Sequence, residues 1–172
     1  MEHCVLESTD LGHRLSGVVV LPIDDAPGHV SYTVDADERW LTRSAELIVT
    51  TTVQRRLSLS ADGAGRWTVD GEAAPALDGC LDVDLGFTPS TNTLPIRRLA
   101  LADGAAVEVT AAWVRFPTFT VERLEQSYER IASDRWRYRS VSFEAELLVD
   151  SSGLVIRYGD DVWIAIAGEG AR

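Results

Sequence analysis

Apolar and polar side chains alternate along several segments of the chain. The alternation is clear over residues 142–149 and 81–85, and a period of two is typical of a strand with one buried face. Residues 162–167 are apolar at every position, which predicts a strand buried on both faces. Residues 47–53 are rich in β-branched side chains, which favour strands. Together these patterns predict a mainly β protein.

Turn signals separate these segments. Asp-Gly pairs begin at Asp62, Asp70 and Asp78, a spacing of eight residues, and further Gly-containing turns follow in the second half of the chain. Glycine tolerates the positive φ that a tight hairpin requires, so Asp-Gly between apolar runs indicates antiparallel neighbours. Turns at this spacing predict a meander, roll or barrel of many antiparallel strands.

Two segments are candidates for a helix. In residues 91–99, Thr or Asn can cap the first turn and Pro95 is tolerated there, so we expect a short helix. Residues 121–131 place apolar side chains at helical spacing among charged residues that favour helices. The pattern leaves helix and strand open for this second segment.

Composition changes the picture mainly by exclusion. The chain has 172 residues, which fits one domain over residues 1–172, and a formal net charge of -11. All 16 basic residues are arginines, so a phosphate-binding loop or Schiff-base chemistry that needs a lysine is excluded. The acidity also argues against a nucleic-acid partner.

Location and cofactors are predicted from absences in the sequence. It shows no signal peptide and no apolar run long enough for a transmembrane segment, so we expect a cytoplasmic protein. Cys4 and Cys80 are expected to be free thiols, and the histidines do not lie at zinc-ligand spacing. We expect no cofactor and no metal.

Two aspartates offer candidate chemistry. Asp82 and Asp84 share one face of a predicted strand, roughly 7 Å apart, where they could act as acid and base or hold a cation. Alternatively they are solvent-side residues or caps for the loop that follows. If the helix is buried, Arg97 or Arg98 needs a carboxylate partner, and these aspartates are the nearest. A contact with an anionic ligand is the second interpretation of that arginine.

Other polar residues have the same two interpretations. Thr88, Asn92 and neighbouring threonines either satisfy backbone groups in tight turns or bind sugar hydroxyls. Arg135, Arg137 and Arg139 would share one strand face, either as a strip that binds an anionic head group or as a solvated face that offsets nearby acids. Aromatic residues are spread evenly along the chain, and one or two of them are expected to border a pocket if one exists.

One long string in the middle of the chain resembles a known family. The segment 79–99, GCLDVDLGFTPSTNTLPIRRL, is similar to the central motif of the bacterial "putative glycolipid-binding" family, whose fold is a spiral β-roll. Segments 40–43, 65–71, 126–128 and 153–158 agree with it. The resemblance implies a many-stranded antiparallel sheet rolled around a single short central helix, a glycolipid-like ligand and a homodimer.

We therefore predict a protein that binds a glycolipid or another amphipathic small molecule without catalysing a reaction. One alternative is a small hydrolase or isomerase that uses Asp82 and Asp84, and another is a structural dimeric interaction module. The candidate ligand-binding residues are Trp40, Arg43, Asp82, Asp84, Thr88, Asn92, Arg97, Tyr128 and Tyr138.

Overall fold

The computed structural model describes residues 1–160 and 163–164. Seven strands form a first sheet in chain order, each antiparallel to the next. They are β1 (Glu2–Thr9), β2 (Gly12–Ile23), β3 (Ala26–Ala36), β4 (Thr42–Thr50), β5 (Gln54–Ala61), β6 (Trp67–Val69) and β7 (Glu72–Ala73).

A second sheet contains seven more strands, again in chain order, and only β8 runs parallel to its neighbour β9 within this described sheet. They are β8 (Asp82–Leu85), β9 (Ala106–Val114), β10 (Val121–Ala132), β11 (Arg135–Ser140), β12 (Phe143–Val149), β13 (Val155–Tyr158) and β14 (Trp163–Ile164). The two sheets curl into a half-barrel.

The helical segment lies between β8 and β9. A 3-10 turn over Ser90–Asn92 leads directly into α1 (Thr93–Leu99), and a second 3-10 turn covers Pro75–Leu77. The described residues hold no other α-helix, so the predicted mainly β fold with one short helix is confirmed. Parallel pairing of β8 with β9 follows because the helix returns the chain to the end of the sheet where β8 began.

The structure shows the conformation of the segment for which the sequence left helix and strand open. Residues 121–131 are strand β10, not helix. The predicted strand over residues 47–53 ends at Thr50, and a turn follows. Of the predicted strand over residues 162–167, Trp163 and Ile164 are in β14 and the rest lies outside the described residues. Ile164 is 56% exposed, so the predicted burial on both faces is wrong at this position.

The three Asp-Gly pairs lie in different kinds of turn. Asp70 and Gly71 both have positive φ, 50° and 85°, and connect β6 to β7 as a two-residue hairpin. Asp62-Gly63 lies in a longer loop between β5 and β6, whereas Asp78-Gly79 follows a 3-10 turn and leads into β8. The Asp-Gly signal therefore located turns correctly but not always hairpins.

Helix α1 contacts both hydrophobic cores. Leu94 belongs to the larger core, built mainly from the first sheet with β8 and β9, whereas Ile96 belongs to a smaller core of the second sheet. Both side chains are at most 4% exposed. The helix thus fixes the position of the motif segment between the two sheets.

Candidate functional site

The motif segment is held by hydrogen bonds that its small polar side chains make to backbone groups and to Glu2. The backbone N–H of Leu85 donates to the Thr91 hydroxyl at 3.2 Å, and the side-chain amide of Asn92 donates to the Pro89 carbonyl at 2.8 Å. The Thr88 hydroxyl donates to the carboxylate of Glu2 in β1 at 2.7 Å. These contacts support the structural interpretation of the threonines and Asn92, and they fix the geometry of the loop.

Asp82 forms the ion pair that the sequence predicted for one of the two arginines. Arg98 donates to both carboxylate oxygens of Asp82, at 3.0 and 2.5 Å, and the Asp82 side chain is 2% exposed. Burial raises the pKa of Asp82, while the guanidinium opposes this by favouring the ionised form. Asp82 is therefore a structural residue that joins β8 to α1.

Asp84 is in a different environment. It has no arginine partner among the described residues; its carboxylate accepts a short hydrogen bond from the side-chain amide of Gln126 in β10. The same Gln126 nitrogen lies 3.1 Å from the Tyr138 hydroxyl. Burial raises the pKa of Asp84 to about 6, although hydrogen bonds from Gln126 and Tyr138 act in the opposite direction.

Asn92 connects the motif segment to the second sheet. The hydroxyl of Tyr128 donates to the Asn92 side-chain oxygen at 2.7 Å, and Tyr128 is 1% exposed. Burial raises the pKa of Tyr128 well above its ordinary value, so its phenol remains a donor. Tyr128 therefore orients Asn92 from below the surface.

Asp84 and Asn92 border a cavity of about 730 Å³ between the motif segment and the second sheet. Thr88 and Tyr138 border it as well, so four of the nine sequence-predicted residues meet at one place. A volume of this size is within the range of small-molecule sites. We call this space the central cavity.

Aromatic side chains line much of the central cavity. The rings of Phe143 and Tyr158 are stacked, with centroids 5.7 Å apart and planes 10° apart, and the Tyr138 ring lies 6.2 Å from Phe143. Sequence reasoning expected one or two such residues and named Tyr138, but it did not identify the others. The aromatic lining residues are Phe87, Trp113, Phe116, Tyr138, Phe143, Tyr158 and Trp163.

Two further charged residues border the central cavity, and both are engaged elsewhere. Arg123 donates to the Asp78 carbonyl at 2.6 Å, and Glu122 lies 3.7 Å from Arg115. Among the described residues, Asp84 is the acidic lining group without an arginine partner, whereas Arg123 keeps its positive charge because it donates to a carbonyl oxygen. The polar part of the cavity thus combines the carboxylates of Asp84 and Glu122 and the guanidinium of Arg123 with the hydroxyl and amide groups of the motif.

Five of the predicted residues do not border the central cavity. Asp82 and Tyr128 support it from behind, as described above. Arg43 lies on β4, where its guanidinium is 4.0 Å from the Asp37 carboxylate. Trp40 and Arg97 border a separate recess, in which the Arg97 guanidinium lies 5.1 Å from the Trp40 ring centroid.

The three arginines of β11 pair with glutamates. Arg137 lies 2.7 Å from Glu129, and Arg139 lies 2.8 Å from Glu144. Arg135 is 3.3 Å from Glu146. This arrangement supports a solvated face that offsets acids, since the charges of a free anion-binding strip would not be matched in this way.

Three further features of the described part of the chain concern its thiols, its potential metal ligands and the length of its helices. Cys4 and Cys80 are free thiols, as expected. No group of three or more potential metal ligands occurs among the described residues. None of the helices described here combines the length and hydrophobicity needed to span a bilayer.

Comparison with known proteins agrees with the resemblance carried by the motif. Residues 1–162 match the profile of a family described as "Putative glycolipid-binding". The chain is also similar to a DUF1089 family protein from Pseudomonas aeruginosa, known from a crystal structure, with 36% identity and a TM-score of 0.84 over 96% of this chain and 92% of that chain. The comparison with curated proteins found no match.

Proposed function

The chain belongs to the "putative glycolipid-binding" family, and from this premise we propose that it binds a small amphipathic molecule with a sugar-like head group in the central cavity. The observation that carries the proposal is the position of Asp84. Its carboxylate, which no arginine neutralises within the described residues, lies in the same cavity as the stacked rings of Phe143 and Tyr158.

Each part of the cavity suits one part of such a ligand. The Asp84 carboxylate would accept hydrogen bonds from sugar hydroxyls, and the Asn92 amide oxygen, which already accepts one from Tyr128, has a second lone pair for another. Aromatic faces stack on sugar rings or pack against an alkyl chain. Above a pH of about 6 the Asp84 carboxylate is ionised, so it would repel an anionic head group and favour a neutral or cationic one.

The first experiment looks for a bound molecule. Native mass spectrometry of the purified protein should detect an adduct, and titration with octyl glucoside should saturate. Dodecyl phosphate should bind more weakly at pH 7.5, because its charge faces Asp84. A protein that binds neither compound and carries no adduct would refute the proposal.

The second experiment tests the stacked rings. Phe143→Ala removes a ring of the pair and should weaken octyl glucoside binding between about twofold and tenfold, since one aromatic contact contributes about 0.5–1.5 kcal/mol. Phe143→Tyr keeps the ring and should bind like the wild type. Leu11→Ala is the matched control, because Leu11 is 86% exposed and does not border the cavity.

A second candidate function is a hydrolase or isomerase in which Asp84 acts as general acid and base. The raised pKa of Asp84, about 6, and its place in a cavity favour this role. Asp82 would not take part, because it is buried in its pair with Arg98. Turnover of a glycoside by the wild type and its loss in Asp84→Asn would support catalysis over binding alone.

A homodimer and a cytoplasmic location complete the proposal. The family resemblance supports the dimer. The dimer receives its own test in the Discussion, and fractionation of the native host would test the location.

A further inference from the structure

Arg97 borders a recess of about 480 Å³ that shares no lining residue with the central cavity. We call it the second recess. It lies between α1 and the turn that connects β3 to β4. Its lining residues are Glu38, Arg39, Trp40, Leu41, Leu81, Arg97 and Arg98.

The Trp40 ring forms a platform in the second recess. The His13 ring stacks on it with a centroid distance of 3.6 Å and an interplanar angle of 11°, and the Arg97 guanidinium lies over the ring at 5.1 Å. A guanidinium that lies over an aromatic ring can still direct its N–H groups to an anion. Trp40 thus limits the positions available to Arg97 without neutralising its charge.

The positive charges of this recess are not all balanced. Arg98 is taken by Asp82, but Arg39 and Arg97 form no ion pair with an acidic group among the described residues. Glu38 is the acidic member of the lining. In a chain of net charge -11, a recess in which two uncommitted arginines face one carboxylate is a local excess of positive charge.

Backbone geometry holds the platform in place. Trp40 has φ of 65°, an uncommon conformation for a residue other than glycine, and its N–H donates to the Asp37 carbonyl at 2.9 Å. On the other side, a Cβ at Gly153 would come within 2.8 Å of the Arg97 Cδ atom. The Arg97 side chain is exposed but contacts both Trp40 and Gly153, which reduces the conformational entropy lost on binding a ligand.

We propose that the second recess is a binding site for a phosphate-type oxyanion, with Arg97 as the main ligand-binding residue, Arg39 as a second positive charge and Trp40 as the platform. A planar guanidinium donates two parallel hydrogen bonds to such an anion. The anion is either a free phosphate compound or the phosphate of a lipid head group. This site is independent of the sugar-like ligand proposed for the central cavity.

Calorimetric titration with glycerol 3-phosphate tests the site. The wild type should bind in a saturable way, and the Trp40 indole NMR signal, assigned with Trp40→Phe, should shift. Arg97→Met keeps the packing on Gly153 and should weaken binding at least about tenfold, the effect of losing one charge-assisted hydrogen bond. The affinity of Arg97→Lys should lie between those of the wild type and Arg97→Met, because lysine keeps the charge but lacks the planar donor pair.

Two control variants test whether glycerol 3-phosphate binding requires this site, rather than surface charge in general or the central cavity. Arg56→Met removes an exposed arginine of β5 and should leave binding unchanged. Asp84→Asn should also leave it unchanged, so failure of one proposed site does not imply failure of the other. Absence of saturable binding by the wild type, or equal loss in the Arg97→Met and Arg56→Met variants, would overturn the proposal.

Vesicles distinguish the two sources of phosphate. Phosphatidylcholine vesicles with phosphatidic acid should sediment the wild type but not Arg97→Met if the anion is a lipid head group. If glycerol 3-phosphate binds and the vesicles do not sediment the protein, the site serves a soluble phosphate compound. Either result supports the oxyanion site.

Discussion

Two aspartates that lie two positions apart on β8 have opposite roles. Both point away from Val83 and Leu85, which are buried in the larger core. Asp82 meets the guanidinium of Arg98, whereas Asp84 meets an uncharged amide, that of Gln126. The protein thus keeps one carboxylate paired and the other unpaired at the edge of a cavity. A partly buried carboxylate without a cationic partner is destabilising, and we propose that the protein keeps Asp84 in this state for ligand binding.

Replacing Asp84 by Asn should stabilise the protein at neutral pH. Because burial raises the folded-state pKa to about 6, above the unfolded value of about 3.9, the folded state binds more protons between these values. The contribution of Asp84 to the stability of the wild type therefore falls as the pH rises from about 3.9 to about 6. We expect Asp84→Asn to gain about 1–3 kcal/mol at pH 7.5 and little at pH 3.5.

Urea unfolding of both proteins across this pH range measures the difference. A constant difference at every pH would mean that Asp84 does not titrate in the cavity. Octyl glucoside binding by the same variant should weaken, which would show that the wild type retains Asp84 for its ligand at the expense of stability.

Removing one partner of the Asp82–Arg98 pair should destabilise the protein, in contrast to the replacement of Asp84. Arg98→Met leaves a buried carboxylate without its cation and should cost about 3–5 kcal/mol at pH 7.5. The double variant Asp82→Asn with Arg98→Met should recover much of that loss, because no uncompensated charge remains. Denaturant unfolding tests both, and a double variant as unstable as the single one would contradict this account.

At the scale of elements, α1 connects two hydrophobic cores. It begins directly after the 3-10 turn of the motif and ends at Leu99, and the C-cap residue Ala100 adopts the left-handed conformation with φ of 45°. A seven-residue helix is too short to be stable alone in water. Its side chains in both cores, Leu94 and Ile96, must therefore supply its stability.

Truncation of Leu94 tests this dependence. Leu94 is 1% exposed, so Leu94→Ala should cost about 2–5 kcal/mol of the free energy of unfolding by leaving a cavity in the larger core. Leu99→Ala near the end of the same helix should cost less, since Leu99 is only partly buried. Equal losses in thermal unfolding would show that helix propensity, not core packing, holds α1.

At the scale of the molecule, strand β1 has a partner on one side only within the described residues. Met1 and Val20 exchange backbone hydrogen bonds, so odd-numbered residues of β1 bond to β2 and even-numbered ones direct their backbone groups to the free side. An antiparallel twin centred on Val5 would bond through those groups and place His3 opposite Glu7 of the other copy. The proposed homodimer has a self-complementary edge in β1.

Disulfide trapping tests the dimer. In a Cys4→Ala background, Val5→Cys should form an inter-chain disulfide under mild oxidation, because the twofold axis would bring the two thiols together. Val20→Cys is the control, since Val20 is 58% exposed on the neighbouring strand but would not face its own copy. A monomer by light scattering, or equal trapping of both variants, would exclude this dimer.

Much of the fold follows from local signals. The alternation in residues 142–149 and the turn residues Asp70 and Gly71 each act within a few positions, so the sequence alone determines them. The expected side-chain cap of α1 is wrong, because Asn92 at the helix start donates to the Pro89 carbonyl and accepts from Tyr128 instead.

The sequence left helix and strand open for β10, and the reason is physical. The inward face of β10 includes Gln126, a polar residue buried against Asp84, so alternation of hydrophobicity fails although burial alternates over residues 124–129.

The sequence by itself thus determined the strand-rich architecture, the helix, the arginine-only positive charge and the motif. Tertiary structure alone decided which arginine pairs with Asp82, which aspartate reaches the cavity, and which aromatic residues line it. Local periodicity and turn chemistry need only neighbouring residues, whereas ion pairs and cavities depend on side chains such as Asp84 and Phe143 that the chain brings together across about 60 positions.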